Sequence, residues 1–213
     1  MSVFRTSAPR HRSAFTLVEI LLVVAIIAVL MALVAGAAMQ VIRAAKKQKT
    51  VTMYSQWATA LDSYKSSYGG YPNLGSGYNS AGDSSYLLDQ SEVVENFVRA
   101  LSARNIDGNE LSDEQRKSLN RRLKNFCTFP NENYKDGNPE NKLFTDHMDN
   151  TKIHIVLDTD SKPGIVLQDQ DMPEDPEPLK LQDGNRLNAS IYIATLKKDG
   201  GDGGDFEDVI YFK

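Results

Sequence analysis

An uninterrupted apolar run near the N-terminus constrains this chain more than any other feature. The 19 residues at positions 20–38 include no charged or strongly polar side chain. As a helix rising about 1.5 Å per residue, this run spans roughly 28 Å, close to the ~30 Å hydrocarbon core of a bilayer. Cleavable secretory signals have shorter apolar cores of ~7–15 residues, and buried helices of soluble proteins are rarely so uniform. The run therefore predicts a transmembrane helix over residues 20–38.

Charge on the two sides of the run gives a weaker prediction of orientation. The first 14 residues contain three arginines and no acid, whereas several basic residues also follow the run: Arg43, Lys46, Lys47 and Lys49. Positive charge alone therefore leaves the orientation open. Because large domains cross membranes largely regardless of charge, we expect the long acidic C-terminal part to be the exported one.

Composition narrows the function classes. The chain has 24 Lys and Arg against 28 Asp and Glu, a formal net charge of −4, so no nucleic-acid partner is expected. Its single cysteine, Cys127, cannot form an internal disulfide. No His or Asp arrangement surrounds Cys127 in the sequence, and His147 and His154 stand isolated, so the chain is not expected to be an enzyme.

One acid, Glu19, lies at the edge of the apolar run. A carboxylate at that depth costs several kcal/mol unless it is paired. It could be a helix-start glutamate at headgroup level, stabilised by the positive end of the helix dipole. Alternatively, its charge is kept for a partner group that this chain does not itself supply.

The segment Ser-Ala-Phe-Thr-Leu-Val-Glu-Ile-Leu-Leu-Val at positions 13–23 resembles the class III signal of type IV pilins and type II secretion pseudopilins. The resemblance implies that prepilin peptidase removes a basic leader, residues 1–14, by cutting between Ala14 and Phe15. Ala14 replaces the glycine that is usual in the family. The new N-terminus, Phe15, is then methylated, and in a helical homopolymer its ammonium pairs with Glu19 of a neighbouring subunit. Such a buried pair specifies register more than it adds net stability.

Beyond the run, the sequence predicts that the helix continues to residue 68. Residues 39–68 lack Pro and Gly, and apolar side chains recur every three or four positions: Val51, Tyr54, Trp57, Ala58, Leu61, Tyr64 and Tyr68. This stripe is typical of a helix face packed on a small domain. Gly69 and Gly70, followed by Pro72, predict the end of the helix. Residues 15–68 therefore form one long predicted helix, with its first half in the membrane.

The remaining residues, 69–213, predict a small α+β periplasmic domain. Residues 73–90 are rich in Gly, Ser and Asn and predict a loop, followed by a short helix capped by Asp89 or Ser91. Ser112 and Gln115 have capping-box spacing and predict a second helix with one apolar side: Leu119, Leu123 and Phe126. Strands are predicted at 153–157, at 165–167 as its hairpin partner, at 187–196 and at 209–212, giving an antiparallel sheet on one face of the long helix.

An acidic glycine loop precedes the last predicted strand. Four aspartates recur at every third position with glycines between them: Asp199, Asp202, Asp205 and Asp208. Ca²⁺ takes six to eight oxygen ligands, and glycine allows the tight backbone that aims several of them at one point. From composition alone, a metal loop and a flexible acidic hairpin loop are equally good interpretations. The segment also resembles the calcium loop of the major pseudopilin of type II secretion, which implies a structural Ca²⁺, with Asp199 and Asp208 matching best.

Taken together, the resemblance implies a structural subunit of a type II secretion pseudopilus, most similar to the major, G-type pseudopilin. Such a subunit is a single-pass protein of the bacterial inner membrane that polymerises into a periplasmic filament driving protein export. The implied partners are further copies of the chain, prepilin peptidase, membrane lipid, the inner-membrane secretion platform and the minor pseudopilins. Two alternatives stay open: a type IV pilin for adhesion, motility or DNA uptake, and a membrane-anchored periplasmic enzyme or binding domain.

Overall fold

A computed structural model describes residues 16–80, 83–160, 162–199 and 208–213. The chain divides into two compact units, Met1–Arg43 and Ala44–Lys213. Helix α1, Leu17–Tyr68, begins in the first unit and ends in the second. The fold is α+β, as predicted, with this long helix followed by a small antiparallel sheet.

The first unit presents an apolar helical surface. Every large aliphatic side chain described from Leu17 to Ile42 is exposed, for example Leu17 at 80% and Leu33 at 70%. Among the described residues, α1 is the one helix that is long and apolar enough to cross a membrane, by length and composition. A surface of this kind needs lipid or protein to cover it, because soluble monomers rarely expose such contiguous apolar area.

The second half of α1 carries the predicted apolar stripe into the core of the domain. Tyr54, Trp57 and Leu61 are fully or almost fully buried. The Trp57 ring lies 5.3 Å from Phe97 and 5.0 Å from Phe144 between ring centroids, so aromatic packing joins three separate stretches of the chain. This confirms the interpretation of the stripe as a packing face.

Helix α1 ends where the sequence predicts. Gly69 adopts a φ of +85° and donates its N–H to the Lys65 carbonyl at 2.7 Å, which satisfies one of the unpaired carbonyls of the last turn. Glycine adopts this left-handed backbone without the steric cost that a Cβ would bring.

The two short helices differ in part from their predictions. Helix α2 is Ser91–Ser102, but its N-cap is Gln90, without a side-chain cap, rather than Asp89 or Ser91. Helix α3 is Asp113–Leu119 and begins with the predicted Ser112–Gln115 capping box. It ends earlier than expected, so the predicted face through Leu123 and Phe126 is wrong. The chain turns at Asn120, whose side chain binds backbone groups of Ala100 and Lys124, and Leu123 has a φ of +50°.

In the described part of the chain, the main sheet has five strands: β1 (Tyr78–Ser80), β2 (Asp83–Leu87), β3 (Ile153–Leu157), β6 (Ile191–Thr195) and β7 (Val209–Phe212). They lie in that order in the sheet, and every neighbouring pair is antiparallel. The predicted loop over 73–90 is therefore wrong, because β1 and β2 form a hairpin inside it. The buried positions of β2 include Asp83 and Ser85, so no hydrophobic alternation marks the strand.

A second, two-stranded sheet pairs β4, Ile165–Val166, with β5, Arg186–Leu187. The predicted hairpin between 153–157 and 165–167 is wrong because β2 and β6 occupy the two edges of β3. The predicted strand over 187–196 divides into β5 and β6.

Strand β3 is buried on both faces of the sheet. Ile153, Ile155 and Leu157 join the core that contains α1 and α2, whereas Val156 joins a second cluster with Ile165 and Leu187. Because successive side chains of a strand point to opposite faces, the strand needs apolar residues at nearly every position. His154 belongs to the same face as Val156 and is the one polar residue of the strand.

Candidate functional site

The N-terminus of α1 is closed by a reciprocal hydrogen-bonded cap. The N–H and hydroxyl of Thr16 donate to Glu19 Oε2 at 2.8 and 2.9 Å, and the Glu19 N–H donates to Thr16 Oγ1 at 3.2 Å. This is the capping-box arrangement, with Thr16 as the N-cap and Glu19 at the third helical position. The cap supports the interpretation of Glu19 as a helix-start glutamate.

The cap also fixes where the carboxylate lies. Glu19 is exposed and is the acid of the first turn on the apolar surface described above. A capped carboxylate remains able to accept further hydrogen bonds, because its two oxygens offer about four lone-pair sites. The assembly role of Glu19 stays a prediction. Ala14 and Phe15, the predicted cleavage and methylation residues, lie outside the described residues.

The two ends of the acidic glycine loop are held by different contacts. Asp199 ends a short 3₁₀ turn, Lys197–Asp199, and its Oδ2 lies 2.8 Å from His154 Nε2, while Lys152 Nζ lies 4.0 Å from its Oδ1. Asp208 Oδ1 accepts the backbone N–H of Lys197 at 2.7 Å, which ties the two ends together. Asp202 and Asp205 lie outside the described residues.

The donor chemistry at these ends fits a hard cation such as Ca²⁺. The carboxylates of Asp199 and Asp208 offer only oxygen ligands, the type that Ca²⁺ prefers. His154 and Lys152 already contact Asp199, so a bound cation would share that carboxylate with them. The four predicted metal ligands, Asp199, Asp202, Asp205 and Asp208, stay a prediction.

His154 is the residue that sequence reasoning missed. Its Nδ1 lies 3.1 Å from Asp171 Oδ1 and its Nε2 lies 2.8 Å from Asp199 Oδ2. The imidazole is 4% exposed and the Asp171 side chain is fully buried. Because carboxylate oxygens accept hydrogen bonds, both contacts are hydrogen bonds only when each ring nitrogen carries a proton. A histidine inside an otherwise apolar buried strand was the sequence signal that could have found this site.

Asp171 is itself fixed by backbone contacts. Its Oδ2 accepts the Gln168 N–H at 3.4 Å, and its carbonyl accepts the Tyr192 hydroxyl at 2.6 Å. Residues 169–178 are rich in acids and prolines, a composition typical of an exposed loop, yet Asp171 is buried by its contacts with β3 and β6.

Cys127 does not have the properties of a nucleophile. Burial raises the pKa of its thiol to about 11, so the thiol stays protonated at neutral pH. His147 is half-buried, and its backbone N–H donates to Thr50 Oγ1 at 3.1 Å. The expectation that the chain is not an enzyme stays a prediction.

One family model, described as the prokaryotic N-terminal methylation motif, matches residues 9–35. No curated protein and no solved structure matches the chain. The matched segment covers the predicted cleavage site, the Thr16–Glu19 cap and most of the exposed apolar part of α1. Together with that apolar helix, it fits a single-pass, membrane-anchored protein.

Proposed function

We infer that this chain is a subunit of a type II secretion pseudopilus, because it carries the prokaryotic N-terminal methylation motif. The motif is typical of type IV pilin-like proteins, which prepilin peptidase processes before they polymerise into a filament. The observation that supports this inference most strongly is that the motif runs directly into an exposed apolar helix, which begins at Leu17. We propose that the mature chain polymerises into a periplasmic filament that drives protein export across the outer membrane.

Before assembly, lipid covers the exposed apolar half of α1 and holds the subunit in the inner membrane, with the C-terminal domain in the periplasm. In the filament, the same surface packs against the helices of other copies. Both environments remove the apolar side chains from water, so the exchange between them costs little hydrophobic free energy. The choice between membrane and filament then depends on polar groups such as Glu19.

Cleavage before Phe15 places a new ammonium four residues from Glu19 in sequence. The Thr16 cap holds the Glu19 carboxylate at the first turn, where it can accept a hydrogen bond from the ammonium of a neighbouring subunit. In a low-dielectric helix bundle, either charge without the other is strongly unfavourable. Pairing therefore selects the register in which each Glu19 meets the N-terminus of another copy.

Calcium in the glycine loop is the second part of the proposal. A Ca²⁺ ion bound by Asp199, Asp202, Asp205 and Asp208 would link the His154-bound end of the loop to the residue that precedes β7. The contact of Asp208 with the Lys197 N–H supports this, because it brings the two ends of the loop together.

Two assays in a strain that lacks the gene distinguish a pseudopilus from a type IV pilus. With wild-type complementation we expect secreted enzymes in the medium, and without it we expect them to accumulate in the periplasm. Glu19→Ala should fail to restore secretion although its leader is removed. Normal secretion in the deletion strain, together with loss of surface filaments or DNA uptake, would assign the chain to a type IV pilus instead.

A further inference from the structure

Three aspartates that are distant in sequence meet at one end of the main sheet. Asp83 is the first residue of β2, Asp158 directly follows β3, and Asp160 lies two residues further on. In the antiparallel register Ser84 pairs with Leu157, so the start of β2 lies beside the end of β3. One carboxylate oxygen from each aspartate lies within 4.8 Å of the others.

Asp83 is held rigidly inside this cluster. Its side chain is fully buried, with Oδ2 accepting the Val166 N–H at 2.8 Å and Oδ1 accepting the Thr159 N–H at 3.3 Å. Both donors are backbone groups, so the position of the carboxylate is set by the main chain of two other segments. Each oxygen keeps a second lone pair for another ligand.

Asp160 supplies an independent observation that points to a ligand. Its side chain is 8% exposed, and its Oδ2 is buried without a hydrogen-bond partner among the described residues. The nearest cation is Lys162 Nζ at 3.5 Å, on a side chain that is 67% exposed. That separation is beyond a normal hydrogen bond, and buried polar atoms are nearly always bonded. Asp160 Oδ1 accepts the Lys162 N–H at 2.9 Å, whereas Oδ2 is ion-paired with the exposed Lys162 ammonium and accepts no hydrogen bond. A cation that displaced this ammonium would therefore find a buried carboxylate oxygen with free lone pairs.

Asp158, the third aspartate of the cluster, lies close to the other two carboxylates. Asp158 is half-buried, and one of its carboxylate oxygens lies within 4.8 Å of oxygens of Asp83 and Asp160. Like charges held this close destabilise one another unless a cation or a proton intervenes.

We propose that Asp83, Asp158 and Asp160 form a binding site for a hard divalent cation of the calcium type, separate from the acidic glycine loop. Three carboxylates provide up to six oxygens, the ligand type that Ca²⁺ prefers, and water completes the coordination. The ion links the start of β2, the end of β3 and, through the Val166 contact of Asp83, strand β4.

Isothermal titration of the full chain in non-ionic detergent with CaCl₂ tests the site. We expect wild-type protein to bind at this cluster with a dissociation constant of roughly 10⁻⁵–10⁻³ M. Asp160→Asn and Asp158→Asn should each weaken this binding by about tenfold or more, because each removes one carboxylate charge. Asp83 is left intact, since its carboxylate also satisfies buried backbone donors.

Two further variants separate this cluster from the loop. The double variant Asp199→Asn, Asp208→Asn should still bind calcium at the cluster of Asp83, Asp158 and Asp160. Glu174→Gln, at an exposed acid, should bind calcium as wild type does. Circular dichroism establishes that each variant is folded. The proposal is overturned if folded Asp158→Asn and Asp160→Asn bind calcium as wild type does, if the loop variant loses all binding, or if wild type binds none at millimolar calcium.

Discussion

His154 Nε2 lies 2.8 Å from Asp199 Oδ2, so a buried residue of the central strand holds the first residue of the acidic glycine loop. The other ring nitrogen contacts the fully buried Asp171. The end of the loop is therefore tied to the layer of the domain that contains β4 and β5.

Replacing this imidazole should destabilise the domain strongly. His154→Ala removes one hydrogen-bonding contact from each of two carboxylates, and leaving a buried polar group without its partner costs about 1–3 kcal/mol. Urea unfolding monitored by circular dichroism measures the change. His147→Ala, at a half-buried histidine held by its backbone, is the matched control and should cost less than about 1 kcal/mol. Equal effects of the two substitutions would contradict a special role for His154.

Calcium removal should lower thermal stability through the glycine loop. A ligand present at ~100 times its dissociation constant adds about 2.7 kcal/mol, which raises the melting temperature by roughly 5–10 °C in a domain of this size. Asp208→Asn keeps an oxygen that can accept the Lys197 N–H but removes the charge. We expect a smaller calcium-dependent shift in the variant, measured against EDTA by differential scanning fluorimetry. An identical shift in both proteins would remove Asp208 from the ligand set.

The ion pairs of Glu95 should make the free energy of unfolding depend on pH in acid. The hydrogen bond from Lys142, together with the nearby Arg99, holds the pKa of Glu95 below its usual value of 4.5. Because the folded pKa is the lower one, the stabilisation is fully present above about pH 4.5 and is lost as the pH falls through the folded value. Glu95→Gln should cost about 1 kcal/mol at pH 7 and progressively less in acid, measured by urea unfolding.

Glu174→Gln is the control for this series, because Glu174 is an exposed acid. Its stability should differ from wild type by no more than about 0.5 kcal/mol at either pH. A cost of Glu95→Gln that stays constant from pH 7 to pH 3 would show that packing, rather than charge, accounts for it.

Two glycines with similar backbones differ in what surrounds them. Gly164 has a φ of +83°, and a Cβ built there lies 2.5 Å from the Leu187 carbonyl oxygen. Gly184 has a φ of +75° and nothing within 4 Å of such a Cβ. Gly184→Ala should cost about 1–2 kcal/mol from backbone strain alone, and Gly164→Ala should cost about 1–3 kcal/mol more because β5 must move. Equal unfolding free energies would contradict the close approach.

Features encoded by nearby residues could be predicted from the sequence. The stripe through Tyr54, Trp57 and Leu61 follows the helical period, and Gly69 ends the helix with a backbone that suits glycine. The Ser112–Gln115 box needs only residues three positions apart. In each case the physical cause lies within one or two turns of chain.

Features that depend on contacts between distant residues could not be predicted from the sequence. Asp83 is buried in β2 because Thr159 and Val166 donate to it from 76 and 83 residues away. His154 seemed isolated because Asp171 and Asp199 lie 17 and 45 residues beyond it in sequence. Polar residues buried by such contacts break the hydrophobic pattern on which strand prediction depends.

The central claim is that a leader is removed and the new N-terminus joins a filament through Glu19. Intact-mass spectrometry of the protein from cells that contain prepilin peptidase tests it most directly. We expect a chain that begins at Phe15 and carries one added methyl group, for wild type and Glu19→Ala alike, with subunit crosslinks in membranes only for wild type. A chain that still begins at Met1, or one that begins after residue 38, would contradict the account.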